Sequence, residues 1–282
     1  MGVILIPVDF STTSKKALHY AAKIAQATSK PLKVVHFFDT VVPYGVAYPP
    51  SSFIEKASEE SLTEISLELK EFTKEISQLK YKELDQELHI HLEVIKGDPI
   101  FQTEELCKEG KVDLIVMGTE GSEGFGRWLI GTHTSNVVKK AKCPVFVIPD
   151  EAKYRPIKKI AYATDFKTLK DEVVDNLMEW VKRFGAEFHF IHIAHKGEYI
   201  DVDEYQNLEE IVDMSKKYDN IKFKIIYDND ILDELEDFAE DNNIDILMMV
   251  KRKLSFFQRI FEPSLTQQMT FETEVPLLIF HQ

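Results

Sequence analysis

The chain has 282 residues, enough for about two domains at ~100–200 residues each. A net charge of −14, from 34 basic and 48 acidic residues, argues against the basic face of a nucleic-acid binder and against a polybasic lipid-docking patch. Two cysteines, Cys107 and Cys143, cannot build a disulfide framework and fit a reducing cytoplasm, the expected compartment.

From the N-terminus, Val3–Val8 is a short β-branched run that stops at Asp9, the pattern of a buried strand. It is too short for a signal peptide and has no basic lead. No stretch approaches the ~20 apolar residues that span a membrane. Ser11 or Thr12 caps a helix reaching about Thr28, with Ala17, Ala21, Ile24 and Ala25 on one face. Lys33–Phe38 reads as a second strand. Phe53–Leu79 carries apolar residues at 62, 65, 69, 72, 76 and 79, a helical spacing. Leu88–Ile95 alternates like a strand, and Pro99–Glu109 is a helix with proline in its first turn. Val112–Met117 presents no polar face and is read as a central strand covered on both sides. Thr132–Ala141 is a helix and Val145–Ile148 a last strand. This alternation implies a parallel sheet with helices on both faces.

The two halves of the chain repeat. Ile4–Phe10 matches Ile160–Phe166, and Val34–Phe37 matches Phe190–Ile193, both at an offset of 156 (Asp165 against Asp9). Val112–Met117 matches Ile244–Met249, and Pro144 matches Pro276, now at an offset of 132. The second copy therefore lacks 24 residues in its middle, the difference between the two offsets, and its third segment, Val202–Lys217, is shorter. The expected organisation is a domain over 1–149, a polar linker over 150–156 with proline at Pro149 and Pro156, and a second domain over 157–282.

Five of the 11 glycines fall between Gly118 and Gly131, directly after the strand Val112–Met117. Ligands of open α/β sheets sit at the carboxyl ends of strands. Glycine lets backbone N–H groups approach a phosphate, and the following helix presents its positive end, with Thr132, Thr134 and Ser135 as hydroxyl donors. A plain surface loop with hydroxyl caps is the competing reading. Gly-x4-Gly-Lys-Ser/Thr is absent, and the first strand is followed by Asp9-Phe10-Ser11-Thr12 rather than by a dinucleotide fingerprint.

The spacing Gly118-x2-Gly121-x9-Gly131-Thr132, followed by Val137-Val138 and Cys143-Pro144-Val145-Phe146-Val147-Ile148, resembles the nucleotide motif of the universal stress protein family. Ile6-Pro7-Val8-Asp9-Phe10-Ser11 is similar to that family's first strand. The resemblance covers the chain as two tandem copies. It implies an α/β fold like that of adenine nucleotide α-hydrolases: two tandem domains, each a five-stranded parallel sheet flanked by helices and paired through its last strand. The pairing would make an intramolecular pseudo-dimer, with a homodimer of chains left open. Members with this motif bind ATP. Carried over, Pro7 and Asp9 would face the nucleoside, and Phe37 would meet the adenine edge through its backbone. Met117 and Gly118 would lie under the ribose, Gly121 and Gly131 would leave room for phosphates, and Thr132, His133 and Thr134 would contact them. Mg2+ or Mn2+ would ride on the phosphates rather than on protein ligands.

The second copy departs from the motif. At offset 132, Gly118 becomes Val250, Gly121 becomes Lys253 and Gly131 becomes Pro263, which has no N–H to offer. It is therefore expected to lack this nucleotide mode. Its loop carries Lys251, Arg252, Lys253 and Arg259, read as a solvated counterweight to 27 acidic residues against 17 basic ones beyond residue 150. In the first loop Glu120 and Glu123 place negative charge near the expected phosphates, which Arg127 offsets in part.

Other residues have plainer readings. Asp9 and Asp165 are either nucleoside carboxylates or helix-start residues favoured by the dipole. His36 and His192 are satisfied core histidines. His89 and His91 lack the partners of a zinc site. Neither cysteine has a sequence-visible activating partner. The leading expectation is a regulatory, stress-response ATP binder with at most slow hydrolysis and an additional protein partner. A scaffold without nucleotide is the alternative. An adenylate-transferring enzyme would need a Ser-Gly-Gly type loop after the first strand, which is absent.

Overall fold

A computed structural model describes residues 2–38, 51–80, 87–108, 110–119, 132–164, 171–197, 205–206, 208–210, 212–213, 220–251 and 274–281. The chain forms two compact units, one containing Met1–Gly118 and Thr132–Val145, the other containing Phe146–Gln282.

The first unit is built from β1 (Val3–Val8), α1 (Thr12–Thr28), β2 (Leu32–Phe38), α2 (Ser51–Thr73), β3 (Ile90–Lys96), α3 (Pro99–Lys108), β4 (Val112–Gly118), α4 (Thr132–Lys140) and the start of β5 (Val145–Ile148). The strands lie in the order β3-β2-β1-β4. Pairing is parallel throughout: Val8 opposes His36 across β1 and β2, Leu5 opposes Ile115 across β1 and β4, and Phe37 opposes Ile95 across β2 and β3. The Ile115 N–H donates to the Pro144 carbonyl at 3.0 Å and starts β5 beside β4.

Burial follows from position. Ile4, Leu5 and Ile6 of β1 are consecutive and buried, as are Leu114–Met117 of β4, because helices cover both faces of a parallel sheet. Each such side chain contributes about 1.5–3 kcal/mol. β3, which among the described residues pairs only with β2, is half-exposed along most of its length. Helix α1 starts at the expected cap: the Ser11 hydroxyl accepts the Ser14 N–H at 3.1 Å. Its buried face includes Ala17, Leu18, Ala21, Ile24 and Ala25.

Helix α2 ends at Thr73, six residues before the boundary expected from its apolar spacing. The Thr73 hydroxyl donates to the Leu69 carbonyl at 2.8 Å, and the chain tightens into turns with Ile76 N–H to Thr73 carbonyl and Leu79 N–H to Ile76 carbonyl, both 3.1 Å. Three-residue turns keep Ile76 buried while abandoning the α-helical ladder, so the hydrophobic pattern continues past the helix. β3 starts two residues later than its alternation suggests, at Ile90.

The second unit contains β6 (Lys159–Ala163), α5 (Asp171–Phe184), β7 (Glu187–Ala194), β8 (Ile221–Tyr227), α6 (Ile231–Asp241), β9 (Ile246–Lys251) and β10 (Leu277–His281). Its order, β8-β7-β6-β9-β10, repeats that of the first five strands. The pairs β6–β7, β7–β8, β6–β9 and β9–β10 are all parallel. The repeat extends to individual bonds. His36 Nδ1 donates to the Val8 carbonyl at 2.9 Å, and His192 Nδ1 to the Thr164 carbonyl at 2.7 Å. A carbonyl only accepts, so each ring nitrogen carries the proton. Asp98 accepts the Phe101 N–H at 2.8 Å, and Asp230 accepts the Asp233 N–H at 3.3 Å. Leu247 N–H donates to the Pro276 carbonyl as Ile115 does to Pro144.

Two features fix the entry into the second unit. Buried Asp245 accepts the Lys158 and Lys159 amides at 2.8 and 2.9 Å, and Arg155 Nε pairs with its other oxygen at 2.5 Å. Three contacts to one carboxylate compensate its desolvation. Aromatic residues fill the core: Phe188 and Phe190 meet edge to face at 4.8 Å, and Tyr162 meets Phe190 at 5.9 Å.

Gly118 closes β4 where it meets α1. A Cβ there would lie 2.5 Å from Thr13 Cγ2 and 3.1 Å from the Thr13 backbone. Gly118→Ala is therefore expected to destabilise the first unit by about 1–3 kcal/mol, read as a lower midpoint in urea with an unchanged slope.

His189 is buried on β7 beside Glu187. Burial pushes its imidazole below the ordinary 6.5; the Glu187 carboxylate opposes this and does not prevail. The folded chain then holds a neutral ring while the unfolded chain takes up a proton, so stability falls as pH drops below the ordinary histidine value. Thermal unfolding from about pH 7 to about pH 5 is expected to show a smaller loss of Tm in His189→Gln than in the parent chain.

Candidate functional site

The first unit brings its candidate residues to one end of the sheet. β1 lies between β2 and β4, so the carboxyl ends of all three are adjacent. This is the point where the strand order reverses, the chain running from β1 to β2 and β3 on one side and then crossing to β4 on the other, the usual ligand position in an open α/β sheet. Pro7 and Asp9 end β1, Phe37 sits near the end of β2, and Met117 and Gly118 end β4.

Asp9 is exposed, and its Oδ1 accepts the Ser11 amide at 3.0 Å and the Ser11 hydroxyl at 2.5 Å. Partial desolvation at the strand end raises its carboxyl, and the hydrogen bonds from Ser11 and Ser14 more than offset that, leaving it below the ordinary 3.8. It is ionised at neutral pH beside the start of α1. The carboxylate thus holds the capping residue Ser11 while remaining exposed.

Phe10 has φ of +65, a left-handed conformation uncommon outside glycine. That turn lays its ring flat on His36, with centroids 4.4 Å apart and 14° between planes, and edge-on to Phe72 of α2 at 5.4 Å. Lys15 of α1 holds Phe72 in place: its Nζ donates to the Phe72 carbonyl at 2.6 Å and lies 4.9 Å from the ring centroid. The sequence places Phe10 in a repeat and Phe72 in an apolar helical spacing, but nothing in it joins them to each other or to Lys15. Their roles depend on one left-handed residue and on a contact across 57 positions.

At β4, the Thr134 hydroxyl donates to the Gly118 carbonyl at 2.9 Å, and Thr134 is 1% exposed. This bond fixes the first turn of α4 to the end of β4. Thr119 donates its N–H to the Ile148 carbonyl at 3.1 Å. His133 is exposed. The space that Gly118 provides is taken by Thr13. Gly121, Gly131, Glu120, Glu123 and Arg127 lie outside the described residues, as does the side chain of Thr132. The structure therefore brings Pro7, Asp9, Met117, Gly118, His133 and Thr134 to one region by way of β1, β4 and α4, with Phe37 on the adjoining β2.

In the second unit, Asp165 and most of the basic loop, Arg252, Lys253 and Arg259, lie outside the described residues. At the corresponding end of its sheet, Lys196 pairs with Asp228 at 2.7 Å. The Lys196 ammonium and the Asp230 amide hold the Asp228 carboxyl at about 2. Among the described residues no group of three His, Cys, Asp or Glu side chains is arranged to hold a metal ion. Among the described residues no helix is long and apolar enough to cross a membrane.

Comparison with known proteins agrees with this architecture. Universal stress protein MJ0531 of Methanocaldococcus jannaschii is 34% identical over 147 residues, covering 51% of this chain and 80% of that protein. Universal stress protein YxiE of Bacillus subtilis is 26% identical over 150 residues, covering 51% of this chain and 97% of that protein. Among solved structures, a universal stress protein from Archaeoglobus fulgidus aligns over 99% of this chain and 96% of its own, with a TM-score of 0.65 at 18% identity. At that identity the likeness is one of fold. The model of the universal stress protein family matches residues 1–149 and again 156–281, so the chain belongs to that family, in a form with two family domains in tandem.

Proposed function

We propose that this chain binds an adenine nucleotide of the ATP type in its first half and that occupancy regulates a protein interaction. The proposed domains are 1–149 and 157–282, joined by 150–156. The observation that carries this reading is the convergence of three strand ends with the first turn of α4. A nucleotide needs a polar group at the nucleoside and amide N–H groups at the phosphates. Exposed, ionised Asp9 fits the first need. The N-terminus of α4, anchored through Thr134, fits the second with the positive end of its dipole. Phe37 supports the base through its backbone at the neighbouring strand end. Gly121, Gly131, Thr132 and His133 complete the phosphate side in this reading, with Mg2+ or Mn2+ carried by the phosphates.

One observation favours the scaffold alternative. The Thr134 proton is spent on Gly118, and the room beside Gly118 is spent on Thr13, so both are structural residues whatever the ligand. In the nucleotide reading Thr134 therefore serves the phosphates through its backbone N–H. The second half contributes no nucleotide site in this reading, because Val250, Lys253 and Pro263 stand where the motif has glycine.

Isothermal titration of Mg-ATP into the full chain, freed of co-purified nucleotide, tests the reading. One site per chain is expected, with affinity falling at least ~10-fold in Gly131→Val, equivalent to about 1.4 kcal/mol. Two sites would overturn the assignment of the second half. Absence of binding would leave the scaffold.

A further inference from the structure

Cys107 on α3 and Cys143 in the turn before β5 are 36 residues apart in sequence. Both are buried, each 8% exposed, and both are free thiols. Their Sγ atoms lie 3.5 Å apart, in hydrogen-bonding contact. The packing of α3 against α4 produces this meeting, and Lys140 of α4 also pairs with Glu104 of α3 at 3.3 Å. The two thiols are not equivalent. The Cys143 S–H bond holds Cys107 below the ordinary thiol value, opposed by burial and by Glu104. The same bond, followed by burial, pushes Cys143 up. Cys107 is thus the member that more readily becomes a thiolate, and Cys143 the donor poised beside it.

We propose that Cys107 and Cys143 form a peroxide-sensitive dithiol that closes reversibly to an intramolecular disulfide. The oxidant is a hydroperoxide, small enough to reach a nearly buried sulfur. The Cys107 thiolate attacks one peroxide oxygen; the S–O bond forms, the O–O bond breaks, and the departing hydroxide takes up a proton as water. Cys143 sulfur then attacks the Cys107 sulfenic sulfur. The S–S bond forms, the S–O bond breaks, and the released hydroxide leaves with the Cys143 proton as a second water. Two thiols are oxidised by two electrons, and one hydrogen peroxide is reduced to two waters. The sulfurs need to approach by about 1.5 Å to reach disulfide length. A small dithiol reductant reverses the step by thiol–disulfide exchange. The bond would staple α3 to the junction of α4 and β5. It is independent of nucleotide binding.

The test uses the full chain. The protein is exposed to hydrogen peroxide, quenched with an alkylating agent, and read by intact mass and non-reducing peptide mapping. The expected result is paired loss of both thiols, a mass lower by two hydrogens, a cross-linked peptide joining Cys107 to Cys143, and recovery with dithiothreitol. The oxidised chain is expected to melt at a higher temperature than the reduced one. Cys143→Ser is expected to halt at a sulfenic acid on Cys107 trapped by dimedone, and Cys107→Ser to react several-fold more slowly. The parent chain decides the matter if either variant folds poorly. Sulfinic acid on one cysteine without the cross-linked peptide, chain-to-chain disulfides only, or thiols that resist peroxide until the protein is denatured would each overturn the proposal.

Discussion

The position of β1 between β2 and β4 is the constraint on which the rest of the first unit depends. Parallel strands cannot be joined by tight turns, so each connection crosses a face of the sheet as a helix. With β1 central, the chain leaves it toward β2 through α1 and later returns on its other side at β4. Gly118 lets α1 approach β4, and Thr134 ties α4 to the same point. The geometry of these strand ends is thus a consequence of helix seating, whether or not a ligand uses it.

The second half shows which parts of this arrangement are structural. The histidine-to-carbonyl bond at the end of the second strand and the aspartate cap of the helix before the fourth strand recur. So does the amide bond to the proline carbonyl at the start of the last strand. All three persist in a copy that has lost every glycine of the motif. They belong to the sheet and its helices. What differs between the copies, at Gly118 against Val250, is the part left over for other uses.

Much of the fold was legible in the sequence because central parallel strands are apolar throughout and helices are periodic. Val3–Val8 and Val145–Ile148 coincide with their strands, and Ser11 caps α1 as its type suggests. The end of α2 was not legible, since three-residue turns continue the same apolar spacing beyond Thr73. The candidate site was legible where it is a matter of placing a residue type at a strand end, as at Asp9 and Gly118. It was not legible where it depends on contacts between distant positions. The Phe10 stack on His36, the Lys15 bond to the Phe72 carbonyl and the Cys107–Cys143 contact each join segments that no local pattern connects. The commitment of Thr134 to Gly118 is of the same kind.

The two copies differ by 24 residues, and that difference falls between His36 and Asp98, against His192 and Asp230. Strand order and parallel pairing are nevertheless the same on either side of it. Lengthening a long connection adds little closure entropy, since the cost grows only logarithmically. The crossover from the second to the third strand is therefore the adjustable part of this repeat. Natural variation, and a designer grafting a foreign segment, would both find their tolerance there, while an insertion of one residue inside β1 would turn the buried side chains on one side of it to the opposite face.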